Sequence, residues 1–199
     1  MSKQLQITLD DGPDPVASAL TPILAELARR RIIAAFFNLG QEVHDDPAAT
    51  RAIATPGHVL GNHSWDHLMP RTSDYADAQI VDQFRRTHAE VLAATRVEMK
   101  HWRAPRLEQI SRLTGLLVGS GKLYALSHCD IHADSKDSQG ATTAAAMLAA
   151  IRSDIAAQPS RQVFRLLFHI KPTTAIALSS VLDGLVADGH ALVNFAQTN

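Results

Sequence analysis

The chain has 199 residues, 46% hydrophobic and 20% charged, enough for one substantial core and too few for two comfortable domains. A formal net charge of -1 excludes a basic field for nucleic acid and an acidic tail for a cationic partner. The single cysteine, Cys129, excludes an internal disulfide and a cysteine-rich zinc site, so any metal must be held by carboxylates and by some of the ten histidines.

No apolar run approaches the roughly 20 residues of a transmembrane helix. The start, "MSKQLQITLDD", lacks the apolar stretch and small-residue cleavage site of a signal peptide. The expectation is a cytoplasmic protein or a mature secreted form without its leader, with the oligomeric state open.

Short β-branched or aromatic runs alternate with longer helical patterns. In chain order the strands are expected at 5–9, 34–38, 58–61, 100–104, 123–126, 163–168 and 191–195. Helices are expected at 15–31, 46–55, 75–95, 107–119, 141–157 and 173–188. Ile23, Leu24 and Leu27 mark an apolar face on the first helix, and Ile80, Phe84, His88 and Val91 mark one on the third. Asp14 is read as the N-cap of the segment that starts at Pro15.

Seven strands alternating with six helices predict an α/β fold with a parallel sheet, as a single domain over residues 1–199. A closed sheet of this kind places its chemistry at the C-terminal ends of the strands. Polar residues gather there: Asp10 and Asp11 after the first run, His63 and His67 after the third, Arg103 at the end of the fourth, a His/Asp cluster after the fifth, and His169 after the sixth. An open doubly wound sheet is the alternative, but it concentrates its site at one crevice.

"QITLDDGPDP" (6–15) sets two carboxylates side by side before Gly12 and Pro13. It reads either as a turn or as a site where the two carboxylates do different work. "GNHSWDH" (61–67) carries His63 and His67 four residues apart. On a helical turn both rings would share one face and reach one ion. Zinc and similar cations accept two His and one carboxylate. A hydrogen-bonded structural pair is the competing reading of the two histidines.

"TLDDGPD", "GHVLGNHSWDH" and "LLFHI", in this order, together with "ILAELARRRIIAAFFNLGQEV", resemble the polysaccharide deacetylase family, carbohydrate esterase family 4. The resemblance runs from about Leu5 to Phe195. It implies a distorted (β/α)7-type barrel, a divalent metal and hydrolytic removal of N-acetyl or O-acetyl groups from saccharides such as chitooligosaccharides or peptidoglycan fragments. Asp11, His63 and His67 would then hold the metal, zinc first, with cobalt, nickel or manganese as alternatives. Asp10 would stay off the ion as the general base toward the activated water.

By the same resemblance His169 would be the general acid, and Leu167 could line an acetyl-sized pocket. Within "HWRAPRLEQ" (101–109), Arg103 would hold Asp10, and the N–H of Arg106 would help stabilise the oxyanion. The family usually carries an aromatic residue and then a glycine after the proline; this chain has Arg106 and Leu107, which reopens the sugar specificity. The family also tends to place an Asp-Trp pair where "SHCDIHADSKDS" (127–138) lies. Asp137 is taken as the orienter of His169, with Asp130 as rival and Ser138 in the tryptophan's place. His128 and His132 could add ligands, though at least one is expected to be plain surface. Trp65 and Trp102 are read as packing residues rather than sugar platforms. The remaining readings are an amidohydrolase acting on a non-saccharide acylated amine, and a catalytically silent carbohydrate-binding barrel.

Overall fold

A computed structural model describes residues 2–13, 19–126 and 128–195. The expected N-cap at Asp14 lies outside the described residues. The elements in chain order are β1 (Gln4–Gly12), α1 (Leu20–Arg30), β2 (Ala35–Asn38), α2 (Gly40–Asp45), α3 (Pro47–Ala54), β3 (Val59–Asn62), α4 (Asp77–Thr95), β4 (His101–Trp102), α5 (Ile110–Leu117), β5 (Ala133–Asp134), α6 (Ala144–Ala156), β6 (Val163–His169), α7 (Pro172–Ala187) and β7 (Ala191–Leu192). This is the alternation of an α/β fold of the (β/α)7 type, and the strand pairs within each unit are parallel.

The chain forms two compact units, one from Met1–Asp10, Val16–Ala35 and Asp130–Thr198, the other mainly from Asp11–Pro15 and Phe36–Cys129. In the first, β1 pairs with β6 from Gln4↔Val163 to Asp10↔His169, and β5 lies on the far side of β6. Leu5, Ile7 and Leu9 of β1 and Phe164, Leu166 and Phe168 of β6 are fully buried, as are Ile23 and Leu27 of α1. A strand covered on both faces must also satisfy its buried polar groups, and the Thr8 hydroxyl donates to the Leu166 carbonyl at 2.8 Å.

In the second unit, Leu68, Ile80, Phe84, Trp102, Ala104, Leu113, Leu117 and Tyr124 form a buried cluster. The Phe84 and Trp102 rings meet edge to face at 5.9 Å, a geometry that aligns ring edge and face quadrupoles. Trp102 is therefore a core residue, as its sequence context suggested.

One expected strand is corrected. The run at 123–126 is not a strand: Tyr124 makes only an isolated bridge with Val118, and its ring is spent on the buried cluster. The fifth strand is instead Ala133–Asp134, opposite Leu166 and Leu167, two residues without β-branched character that pair because β6 offers an edge. The helix expected over 46–55 is found as α3; the short α2 before it is an element the sequence reading did not include. Asp46 divides them, its side chain accepting from the Ala48 and Ala49 N–H groups at 3.0 Å with Pro47 next, the usual N-cap chemistry.

Candidate active site

In the second unit Asp11, His63 and His67 converge: one ligand atom from each lies within 4.8 Å of the others. Nε2 of His63 and Nε2 of His67 are each 3.5 Å from Asp11 Oδ1. Asp11 has a positive φ of 63°, which aspartate tolerates better than most residues and which follows from the sharp departure of the chain at Gly12 and Pro13.

His63 follows directly on β3, its N–H bonded to the Asn38 carbonyl at 2.9 Å. Its Nδ1 donates to the Arg103 carbonyl at 3.0 Å, which leaves Nε2 with its lone pair toward Asp11. Burial pushes its pKa down to about 3, so the ring is neutral, the form a ligand needs.

The helical-turn placement of the two histidines is corrected. Residues 63–67 form a loop, with Ser64 and His67 at positive φ. Helical spacing is replaced by side-chain scaffolding: Gln83 Oε1 accepts from the Trp65 and Asp66 N–H groups at 2.8 and 3.1 Å, and Asn62 Oδ1 accepts from the Ser64 N–H at 2.9 Å. Gln83 and Asn62 were not singled out from the sequence. Their acceptors act across 17 to 18 residues or within a loop, where no local motif announces them.

In the first unit, Asp137 holds His169. Its Oδ1 accepts from His169 Nδ1 at 2.6 Å, and its Oδ2 accepts from the His169 N–H at 2.7 Å and from the Thr174 hydroxyl at 2.6 Å. Burial raises the carboxyl's pKa, but these hydrogen bonds outweigh it and hold the group below the ordinary aspartate value. Asp130 is exposed. Thr174, fully buried in the first turn of α7, is a third member of this cluster that the sequence did not reveal.

Asp10 is 3% exposed and sits opposite His169 in the parallel register, while its carbonyl accepts from the Ile170 N–H at 3.1 Å. Leu167, on β6, is buried. Arg103 is fully buried; its Nε donates to the Cys129 carbonyl at 3.0 Å and its guanidinium lies 4.1 Å over the Phe37 ring. Arg106 and Leu107 both adopt left-handed conformations, with φ of 52° and 58°. The glycine-like backbone of that turn persists with a leucine in it. His128 and His132 are not plain surface: His128 is buried 5.2 Å from the Trp102 ring, and His132 Nδ1 accepts from the Arg165 N–H at 3.0 Å. Neither joins the metal-competent cluster found among the described residues.

One carboxylate and two imidazoles with mutually close donor atoms match the ligand preferences of a divalent cation that keeps open positions. Fold and cluster together define an α/β protein with a candidate divalent-metal centre. The sequence profile of the family described as "Polysaccharide deacetylase" matches residues 1–117: the chain belongs to the polysaccharide deacetylase family.

Among relatives, the peptidoglycan-N-acetylglucosamine deacetylase PgdA of Listeria monocytogenes serotype 1/2a (strain 10403S) is 34% identical over 95 residues, 47% of this chain. The match spans only 19% of that protein's length. A family 4 carbohydrate esterase from Streptomyces lividans, solved with acetate, superposes with a TM-score of 0.77 at 25% identity, covering 96% of this chain and 91% of that one. BA3943 of Bacillus anthracis, described as a pseudoenzyme of the same family, superposes at 0.81 with 20% identity, covering 98% of this chain and 64% of that one. Fold alone therefore does not carry activity. Among the described residues no helix is long and apolar enough to cross a membrane.

Proposed function

We propose that residues 1–199 act as one catalytic domain, a metal-dependent hydrolase that removes N-acetyl groups, and secondarily O-acetyl groups, from saccharides such as chitooligosaccharides or peptidoglycan fragments. The observation that carries this reading is the convergence of Asp11, His63 and His67 within 4.8 Å in a chain of the polysaccharide deacetylase family. The PgdA likeness and the acetate-bound esterase neighbour support the choice of substrate.

Asp11, His63 and His67 would hold the cation, with zinc the first choice and cobalt, nickel or manganese the others. When bound, it would polarise the acetyl carbonyl and acidify water. Asp10, next in the chain to a ligand, takes the proton from the attacking water as the new C–O bond forms. Arg103 is assigned to hold Asp10 and the Arg106 N–H to donate to the developing oxyanion, as the family resemblance implies. His169 gives its proton to the departing nitrogen as the C–N bond breaks, so acetate and free amine leave. The hydrogen bond of His169 Nδ1 to Asp137 supports this role: it keeps one ring proton on Nδ1 and the carboxylate favours the imidazolium, whose second proton, on Nε2, is the transferable one. Arg106 and Leu107 at the turn favour one second reading, hydrolysis of a non-saccharide acylated amine.

The test is acetate release from N-acetylated chitooligosaccharides and peptidoglycan fragments by chelator-stripped protein resupplied with zinc or cobalt. Release that requires metal, and is abolished in Asp10→Asn and His63→Ala, is the expected result. Metal-loaded protein that releases no acetate from either substrate overturns the saccharide reading, and failure on other acylated amines as well would make the chain a silent barrel.

A further inference from the structure

His63 and His67 face Asp11 in the same way, but their outer nitrogens meet opposite chemistry. His63 Nδ1 lies 3.0 Å from a carbonyl, that of Arg103. His67 Nδ1 lies 3.1 Å from Nη1 of Arg106. A guanidinium has five donors and no acceptor, so it can bond to Nδ1 only where that nitrogen presents its lone pair. The ring proton of neutral His67 is then on Nε2, the atom 3.5 Å from Asp11 Oδ1. Ligation through Nε2 needs the reverse arrangement, with the lone pair on Nε2 and an N–H on Nδ1 given to a carbonyl or carboxylate. His63 is set for a cation; His67 is set for Asp11.

The guanidinium is anchored in this position. Its Nη2 donates to the Leu68 carbonyl at 2.9 Å, its Nη1 also reaches the His67 carbonyl at 3.1 Å, and its Nε lies 3.2 Å from Glu108 Oε1. The left-handed backbone of Arg106 sends the side chain back over the loop that carries His67. A fixed positive charge there also opposes a dication at the same ring.

Resting on the metal reading of this cluster, we propose that Arg106 is a positioning residue that guards the site: it holds His67 in the Nε2–H tautomer, and cation binding requires the guanidinium to leave Nδ1. Arg106 thereby lowers metal affinity.

Three substitutions separate the terms. Arg106→Gln supplies a carbonyl oxygen that accepts from an Nδ1–H; Arg106→Met keeps the bulk and removes donor and charge; Arg106→Lys keeps both. Thermal melts confirm folding, long-range proton–nitrogen NMR of the metal-free protein reads the tautomers, and competition with a chromophoric chelator at one fixed pH reads zinc affinity. The parent and the lysine variant should show His67 as Nε2–H and His63 as Nδ1–H. The glutamine variant should move His67 to Nδ1–H and bind zinc on the order of 10-fold more tightly, within the range of partners that hydrogen-bond a ligand; the methionine variant should also bind more tightly. Nδ1–H on His67 in the parent overturns the proposal. So does zinc binding in the glutamine and methionine variants no tighter than in the parent. A parent that binds no zinc overturns the metal reading and the affinity claim with it, while the tautomer pattern still judges the Arg106–His67 bond by itself.

Discussion

Nδ1 of His169 lies 2.6 Å from Oδ1 of Asp137, whose other oxygen accepts from the Thr174 hydroxyl at the same distance. The buried carboxylate is thus shared between a side chain that could carry a proton and one that can only steady the carboxylate. Bonds to an ionised acceptor are stronger than neutral ones. Asp137→Asn should lower acetate release about 100-fold, the lower end of what a disabled general acid costs. Thr174→Val, which keeps the shape and deletes the hydroxyl, should lower it about 10-fold. Thr174→Ser should restore most of the rate, an outcome that loss of packing alone would not give.

Gln83 holds the ligand loop through a single oxygen that accepts two N–H groups. Gln83→Met keeps the length and leaves both donors unsatisfied, at about 1–3 kcal/mol. Isothermal titration with zinc should show affinity about 10-fold weaker, with the protein still folded. Unchanged affinity would mean that His67 is placed by other contacts.

Gly61 lies in β3 two residues before His63, and a Cβ added there would sit 2.5 Å from the Phe37 ring. Gly61→Ala should therefore destabilise the protein by about 1–3 kcal/mol through overpacking. A chemical denaturation midpoint equal to the parent's would contradict the tight packing of Phe37 against β3.

Burial lowers the pKa of His58, packed 5.2 Å from the Phe36 ring, to about 4. The unfolded chain, with an ordinary imidazole near 6.5, binds the proton first as pH falls. Stability from this group is complete above about pH 6.5 and is lost progressively down to about pH 4. The melting temperature should fall over that window, and His58→Gln should flatten the slope. His63 contributes with the same sign in the metal-free protein. Asp137, held low, adds a loss only below the ordinary aspartate range.

Much of the site was legible because its residues announce themselves over short stretches. Asp10 and Asp11 stand together before Gly12-Pro13, and His63 and His67 share seven residues with a glycine and a tryptophan. Strand-end positions followed from the alternation of apolar runs and helical faces. The choice of Asp137 over Asp130 was not legible from composition, since both lie in a loop rich in hydrogen-bonding side chains. It is made by the register that brings residue 137 against residue 169.

By itself, the amino-acid sequence determined the class of fold, the (β/α) alternation and the carboxylate and imidazole groups fit for a divalent cation. Periodicity and short motifs are local properties of a chain, so they survive without coordinates. Tertiary structure alone decided that Ala133–Asp134 is a strand and 123–126 is not, that the loop of His67 hangs on Gln83, that Thr174 completes the Asp137–His169 cluster, and that Arg106 faces His67 Nδ1. Each of these is a partnership across sequence distance. A donor or an edge strand is satisfied by whichever partner the packed chain delivers, and side-chain identity alone does not say which that will be.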